Sequence, residues 1–314
     1  MQECCQFTSF PNRCGRSVSR VSARNDRATS RARSLGSARN TLVIIIATVS
    51  VLFSLGVAWR AGVRYATNNS NTTSTLTFGT TYPKGVADSS QPSGEAPPSK
   101  SALTGYRLTY VNNFSGDSLP SGWSVFTGIP GGDPGGHFAG DHVVVKGGLL
   151  SLNTWKDPAY QDRWVTGGLC QCGRALTYGA YFVRSRITGS GASQTELLWP
   201  LSNAWPPEID FNENGGRVDA TSSTVHFGTT NHIDQRHLLI NMTEWHTWGV
   251  IWTPTSITYV VDGYEWSSVS VPAEIPDQPM TLDMEQRQSC DLGRECPTAP
   301  ESMEVDWVAE YEAK

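Results

Sequence analysis

Apolar residues follow three different patterns along the chain. Thr41–Trp59 (TLVIIIATVSVLFSLGVAW) is apolar on every side and carries no charge over 19 residues. At about 1.5 Å per residue, a helix of that length matches the hydrocarbon core of a bilayer. Residues 67–103 have almost no large aliphatic residues and are rich in Asn, Ser, Thr, Gly and Pro. A segment so composed buries too little apolar surface to order itself, so it predicts a flexible stalk. From residue 104 onward the pattern has period two. Val143–Leu152 is two apolar runs around Lys146-Gly147-Gly148, a hairpin signal. Tyr178–Ile187, Trp248–Trp252, Ser256–Val261 and Glu304–Tyr311 read as strands, with Asp262-Gly263 as a turn. No stretch there keeps a helical period over three turns. Many short strands between turns predict an all-β sandwich or barrel.

Charge sharpens the partition. Residues 1–64 hold ten Arg, no Lys, Glu3 and Asp26, for a net +8, whereas the remainder holds 14 basic and 27 acidic residues, a net −13. Eight of the Arg precede the apolar run, which keeps residues 1–40 in the cytoplasm and exports the rest of the chain. The expected organisation is a basic tail (1–40), a single transmembrane signal-anchor helix (41–59), a stalk (60–103) and a folded domain (104–314) at the outer face of the cell membrane. The alternative is secretion after cleavage near Gly56-Val57-Ala58. An acidic body argues against nucleic acid as a partner. Ten of the eleven Trp lie beyond residue 100, which excludes a fully disordered chain. Oligomeric state is not legible.

Cys4, Cys5 and Cys14 fall in the tail, where thiols stay reduced, and Cys170, Cys172, Cys290 and Cys296 fall on the exported side. A Cys290–Cys296 bridge closing a short loop is the favoured pairing. Cys170-Gln171-Cys172 is tight for an easy bridge, and no His pair accompanies these Cys at zinc spacing.

The chemistry concentrates in residues 196–216, ELLWPLSNAWPPEIDFNENGG. On a regular strand Glu208 and Asp210 share a face and Glu213 points away. One β-bulge at Phe211-Asn212 would bring Glu213 back to that face. The outer carboxyls would then close to about 5–6 Å, near the separation of a retaining glycosidase. Carboxyls so crowded cannot all ionise, so at least one pKa should rise and supply an acid beside a nucleophile. Solvated acidic faces and calcium ligands are the bland alternatives. Trp199 and Trp205 flank the cluster, and indole faces suit the apolar faces of sugar rings.

Glu208-Ile209-Asp210-Phe211-Asn212-Glu213 resembles the E-x-D-x-x-E signature of glycoside hydrolase family 16, in its bulged form. Tyr110–Leu119, Tyr178–Ile187, Trp245–Gly263 and Val305–Tyr311 are similar to other segments of that family, in the same order. The resemblance spans roughly residues 106–312. It implies a concanavalin-like jelly roll and a membrane-anchored, retaining endo-β-glycosidase acting on a polysaccharide, by default a β-glucan such as β-1,3-glucan, otherwise a galactan. Glu208 would be the nucleophile, Glu213 the acid/base and Asp210 the carboxylate that tunes both. His226 would line the cleft, and Trp199 and Trp205 would bind substrate by stacking. No cofactor is required. Some members hold a structural calcium near the terminal strand, and Asp306 stands at a suitable place for one. Asn112-Asn113, Phe182 and Pro207 depart from the usual pattern and bear on subsites. A wall-remodelling transglycosylase and a non-catalytic carbohydrate-binding protein on the same fold are the competing readings.

Overall fold

The computed structural model describes residues 81–314, together with the backbone of the short strand Val63–Arg64. The tail, the apolar run and most of the stalk lie outside the described residues. Among the described residues no helix is long and apolar enough to cross a membrane.

Two antiparallel sheets face each other, as the alternating pattern requires. One runs from edge to edge through Val63–Arg64, His232–Ile240, Ala220–Phe227, Glu208–Glu213, Ala192–Pro200, Met280–Gln288, Gly168–Cys170 and Ser124–Val125. The other runs through Tyr264–Val269, Ile257–Val261, His246–Trp252, Gly179–Ile187, Glu301–Ala313, Leu149–Asp157 and Val143–Lys146. Tyr106–Asn112 pairs with the second half of Glu301–Ala313, and Arg163–Thr166 with Leu149–Asp157. Neighbours in space are distant in sequence, for example Ala192–Pro200 beside Met280–Gln288. Such long crossovers make a jelly roll rather than a meander.

Parity along each strand decides what fills the space between the sheets. Tyr181 and Val183, Leu150 and Leu152, Ile209, Val225, Leu282 and Met284 join Trp248 and Trp252 in the inner core. The opposite parity of the second sheet is also apolar. Ala180, Phe182, Ile251, Val260, Trp307, Ala309 and Tyr311 form a separate cluster with Leu103, and Tyr82 packs against it. That outer face is buried because residues 81–103 lie across it.

The expected stalk is therefore shorter than its composition suggests. Within residues 81–103, Val86–Ala87 pairs with Glu95–Ala96 as a small hairpin. Trp307 donates its indole N–H to Glu95 O at 2.9 Å, the Tyr311 hydroxyl donates to Ser99 O at 3.1 Å, and Thr247 Oγ1 donates to Lys84 O at 2.8 Å. Few of these contacts need a large apolar side chain in the strap itself, so composition reads it as linker. The sheet supplies the apolar surface and the strap supplies backbone acceptors.

The favoured Cys290–Cys296 bridge is present, and Cys170 is also bridged to Cys172 across a Cα separation of 5.1 Å. The second bridge joins the end of the Gly168–Cys170 strand to the turn after it.

Candidate active site

The catalytic-type strand is irregular where the spacing of its acids requires it to be. Glu208 pairs with His226, Ile209 with Val225 and Asp210 with Thr224, but Glu213 pairs with Ser222. Three residues on one strand thus match two on its neighbour. The register toward Ala192–Pro200 breaks at the same place, with Leu197 opposite Asp210 and Thr195 opposite Glu213. Phe211 and Asn212 occupy the bulge, and Glu208, Asp210 and Glu213 return to one face. Asn212 turns inward and accepts from Thr221 Oγ1 at 2.6 Å. A turn pins the end of the strand. Asn214 Oδ1 accepts from Gln194 N at 2.7 Å and Asn214 Nδ2 donates to Arg217 O at 2.6 Å.

Glu208 and Glu213 are half-buried and Asp210 is buried. The Trp205 indole N–H donates to Glu208 Oε2 at 2.6 Å, and Asp210 lies close enough for its charge to act on Glu208. His226 Nε2 lies 3.3 Å from Asp210 Oδ2, and its Nδ1 is 2.8 Å from Asn231 Oδ1. Burial, then the charge of Asp210, raises Glu208 well above the usual carboxyl range, while Trp205 and Arg287 favour its anion. Burial and Asp210 push Glu213 up to about 7, against the pull of Arg294, Arg287 and His226. Burial opposes the charge on His226, yet its hydrogen bond to Asp210, Asp210's charge, Asn231 and Glu213 together raise it. Burial and the charge of Asp210 thus favour the protonated form of both Glu208 and Glu213.

Each stacking candidate has a distinct place. Trp205 uses its N–H on Glu208, and its ring stands 5.7 Å from that of His226, so it touches Glu208 as well as presenting a face. Trp199 is half-buried on the adjacent strand and donates to Asn203 Oδ1 at 2.9 Å. A depression of about 460 Å³ adjoins Trp205, bordered by Pro206, Phe227, Glu274 and Pro276.

Sequence reasoning missed the next row of polar groups. Leu197 also pairs with Asp283, and Thr195 with Glu285, so these two acids stand in line with Asp210 and Glu213. Both are buried, and burial is the main cause that raises their pKa values. Arg287 bridges to Glu285 at 2.5 Å and donates to Gly131 O at 2.8 Å. The alternation in Met280–Gln288 (MTLDMEQRQ) is the signal that could have found them. Glu196, by contrast, faces the interior beside Ser185, and burial pushes it up to about 8.

Asp306, where the resemblance would set a calcium, meets the strap: its Oδ2 accepts the Ser93 N–H at 2.9 Å, and its Oδ1 is buried without a hydrogen-bond partner, near the cation of Arg184. Among the described residues, the group of three ligand-type side chains within reach of one ion is Asp141, His142 and Asp157, away from Asp306. Both ring nitrogens of that His142 already face acceptors, Asn153 O and Asp157 Oδ2.

The description Glycosyl hydrolases family 16 matches residues 136–309, more than half of the chain and all of the strand that carries the three acids. The chain belongs to glycoside hydrolase family 16. The resemblance read from its motifs holds at the level of the family. The Beta-glucanase of Rhodothermus marinus is 28% identical over 179 residues, which cover 48% of this chain and 60% of that relative. Among solved structures, the laminarinase from Rhodothermus marinus superposes with a TM-score of 0.59 at 22% identity, covering 66% of this chain and 97% of its own. The endo-1,3-beta-glucanase (laminarinase) from Thermotoga petrophila RKU-1 gives a TM-score of 0.57 at 18% identity, covering 67% and 98%. At these identities the superpositions establish the shared fold.

Proposed function

We propose that this chain is a retaining endo-β-glucanase that cuts β-1,3 or mixed β-1,3-1,4 glucan. The observation that carries the reading is the bulge, which returns Glu213 to the face of Glu208 and Asp210. In the first step a Glu208 carboxylate oxygen attacks the anomeric carbon. The bond to the leaving oxygen breaks, and that oxygen takes the proton held by Glu213. In the second step Glu213, now ionised, takes a proton from water. The water oxygen displaces Glu208 and releases a sugar of the original anomeric configuration. Asp210 faces His226 and acts by its charge on Glu208 and Glu213, so charge leaving one member of the cluster is felt by its neighbours.

The substrate class is supported by the family and by relatives named for glucanase activity. The test uses the full chain with a panel of β-glucans and galactans. New reducing ends should appear on β-glucan, and the first anomer detected by NMR should be β. Glu208→Gln should lower that rate by about a thousandfold or more, as expected for loss of a group that bonds to the reacting carbon. Equal signal from wild type and Glu208→Gln on every glycan would sink the enzyme assignment of Glu208, and an α product would sink retention.

We also propose that Thr41–Trp59 anchors the enzyme in the cell membrane with its catalytic domain outside. This rests on the uncharged run and the eight Arg before it.

A further inference from the structure

The loop after Met280–Gln288 bears on the acid/base group. Cys290 and Cys296 close it, with their Cα atoms 4.8 Å apart. Inside it, Leu292 N and Arg294 N both donate to Ser289 O, at 3.0 and 3.2 Å, and Gly293 N donates to Cys290 O at 3.2 Å. Its far end is seated on a second turn. A Cβ on Gly191 would meet Pro297 N at 2.3 Å, and Gly191 N donates to Gly216 O at 2.9 Å. The loop is thereby fastened beside the turn that ends the Glu208–Glu213 strand.

Arg294 extends from this loop across Gly215, two residues after Glu213. A Cβ at Gly215 would come within 2.9 Å of Arg294 Nη1, so the guanidinium occupies the space that glycine leaves. Gly215 has φ +59°, and its N–H is held by Ser193 Oγ at 3.0 Å. The charged groups that act on Glu213 come from every element around it. Asp210 lies on its own strand, His226 on the neighbouring strand, Arg287 on Met280–Gln288 with Glu285 in the same row, and Arg294 on the loop. Among the cations, Arg294 has the largest effect.

We propose that Arg294 is a positioning residue for the acid/base Glu213, and that the Cys290–Cys296 bridge serves catalysis by holding it there. The inference rests on the reading of Glu213 as the acid/base. The guanidinium favours the anion that Glu213 becomes after protonating the leaving oxygen, which is the form that must next accept a proton from water.

The test is the pH profile of kcat/KM for the full chain on a soluble β-1,3-glucan. Glu213 must be protonated for the first step, so activity falls as pH rises through its pKa. Removing a nearby cation raises that pKa. Arg294→Ala should therefore move the basic limb upward by roughly half a unit to one unit, and Arg294→Lys should keep it near its original place. Cys290→Ser with Cys296→Ser should move the limb in the same direction as Arg294→Ala. Arg294 is exposed, so its variants should melt with the wild type. Glu213→Gln tests Glu213 apart from Arg294: as the acid/base, it should lose kcat/KM on the β-1,3-glucan yet keep it on an aryl β-oligoglucoside whose leaving group needs no acid. That pattern, with an unmoved limb in Arg294→Ala on the glucan, overturns the role of Arg294 and leaves Glu213 as the acid/base. A Glu213→Gln variant that keeps its kcat/KM and its basic limb on the glucan overturns both.

Discussion

Glu208 is acted on by groups of opposite effect. Burial and Asp210 favour its protonated form, and the Trp205 N–H favours its anion. As the proposed nucleophile it must be ionised, so activity falls as pH drops through its pKa. Trp205→Phe keeps an aromatic face and removes the donor, which raises that pKa. The acidic limb of kcat/KM should then rise by roughly half a unit to one unit, the size of one hydrogen bond at a partly exposed site. A pH profile on soluble β-1,3-glucan checks this, and an unmoved limb would reduce Trp205 to a stacking platform. The three acids were legible because a strand's period of two makes their spacing informative. The Trp205 contact was not, because nothing in a run of Trp-Pro-Pro says which edge of the ring meets the carboxyl three residues later.

At the scale of elements, the bulge was legible and the strap was not. A bulge at Phe211-Asn212 results from demanding one face for three acids, and the broken register on both sides of the strand agrees with it. Gly179–Ile187 carries a signal of the same kind that points to the strap. Tyr181 and Val183 fill the inner core, while Ala180 and Phe182 are fully buried on the other side. A strand apolar on both faces needs a cover on each. Residues 81–103 are that cover, and their turn-rich composition hides it. Deleting them would expose Phe182, Trp307 and Tyr311, and the melting temperature should fall by roughly 10 °C or more. Differential scanning calorimetry of the deletion beside the full chain decides it, and unchanged melting would return the segment to the status of a linker. Asp283, Glu285 and Arg287 escaped for a related reason. Their strand belongs to the site only through pairing with Ala192–Pro200, more than eighty residues earlier in the chain.

For the whole molecule, the net charge of −5 is an average over two parts that the apolar run divides. In the proposed arrangement the basic part orients an anchor and the acidic part carries the family 16 domain. Expressed in full and washed with alkaline carbonate, the chain should remain with the membrane pellet, and protease added to intact cells should remove the catalytic domain. A soluble product beginning just after Ala58 would instead establish cleavage and secretion. The disulfides fit an exported domain, since such bridges persist in oxidising compartments.

By itself, the sequence determined the properties that depend on local period and residue chemistry. Those are the all-β class, the apolar run, the acid-bearing strand and its bulge, and the short Cys290–Cys296 loop. Folding in three dimensions decided everything that depends on which distant segments meet. It laid residues 81–103 over the outer sheet, set Asp283 and Glu285 in line with Asp210 and Glu213, turned the Trp205 N–H onto Glu208 and carried Arg294 across Gly215. Pairing and packing between remote strands are set by the whole core at once, and no local pattern contains them.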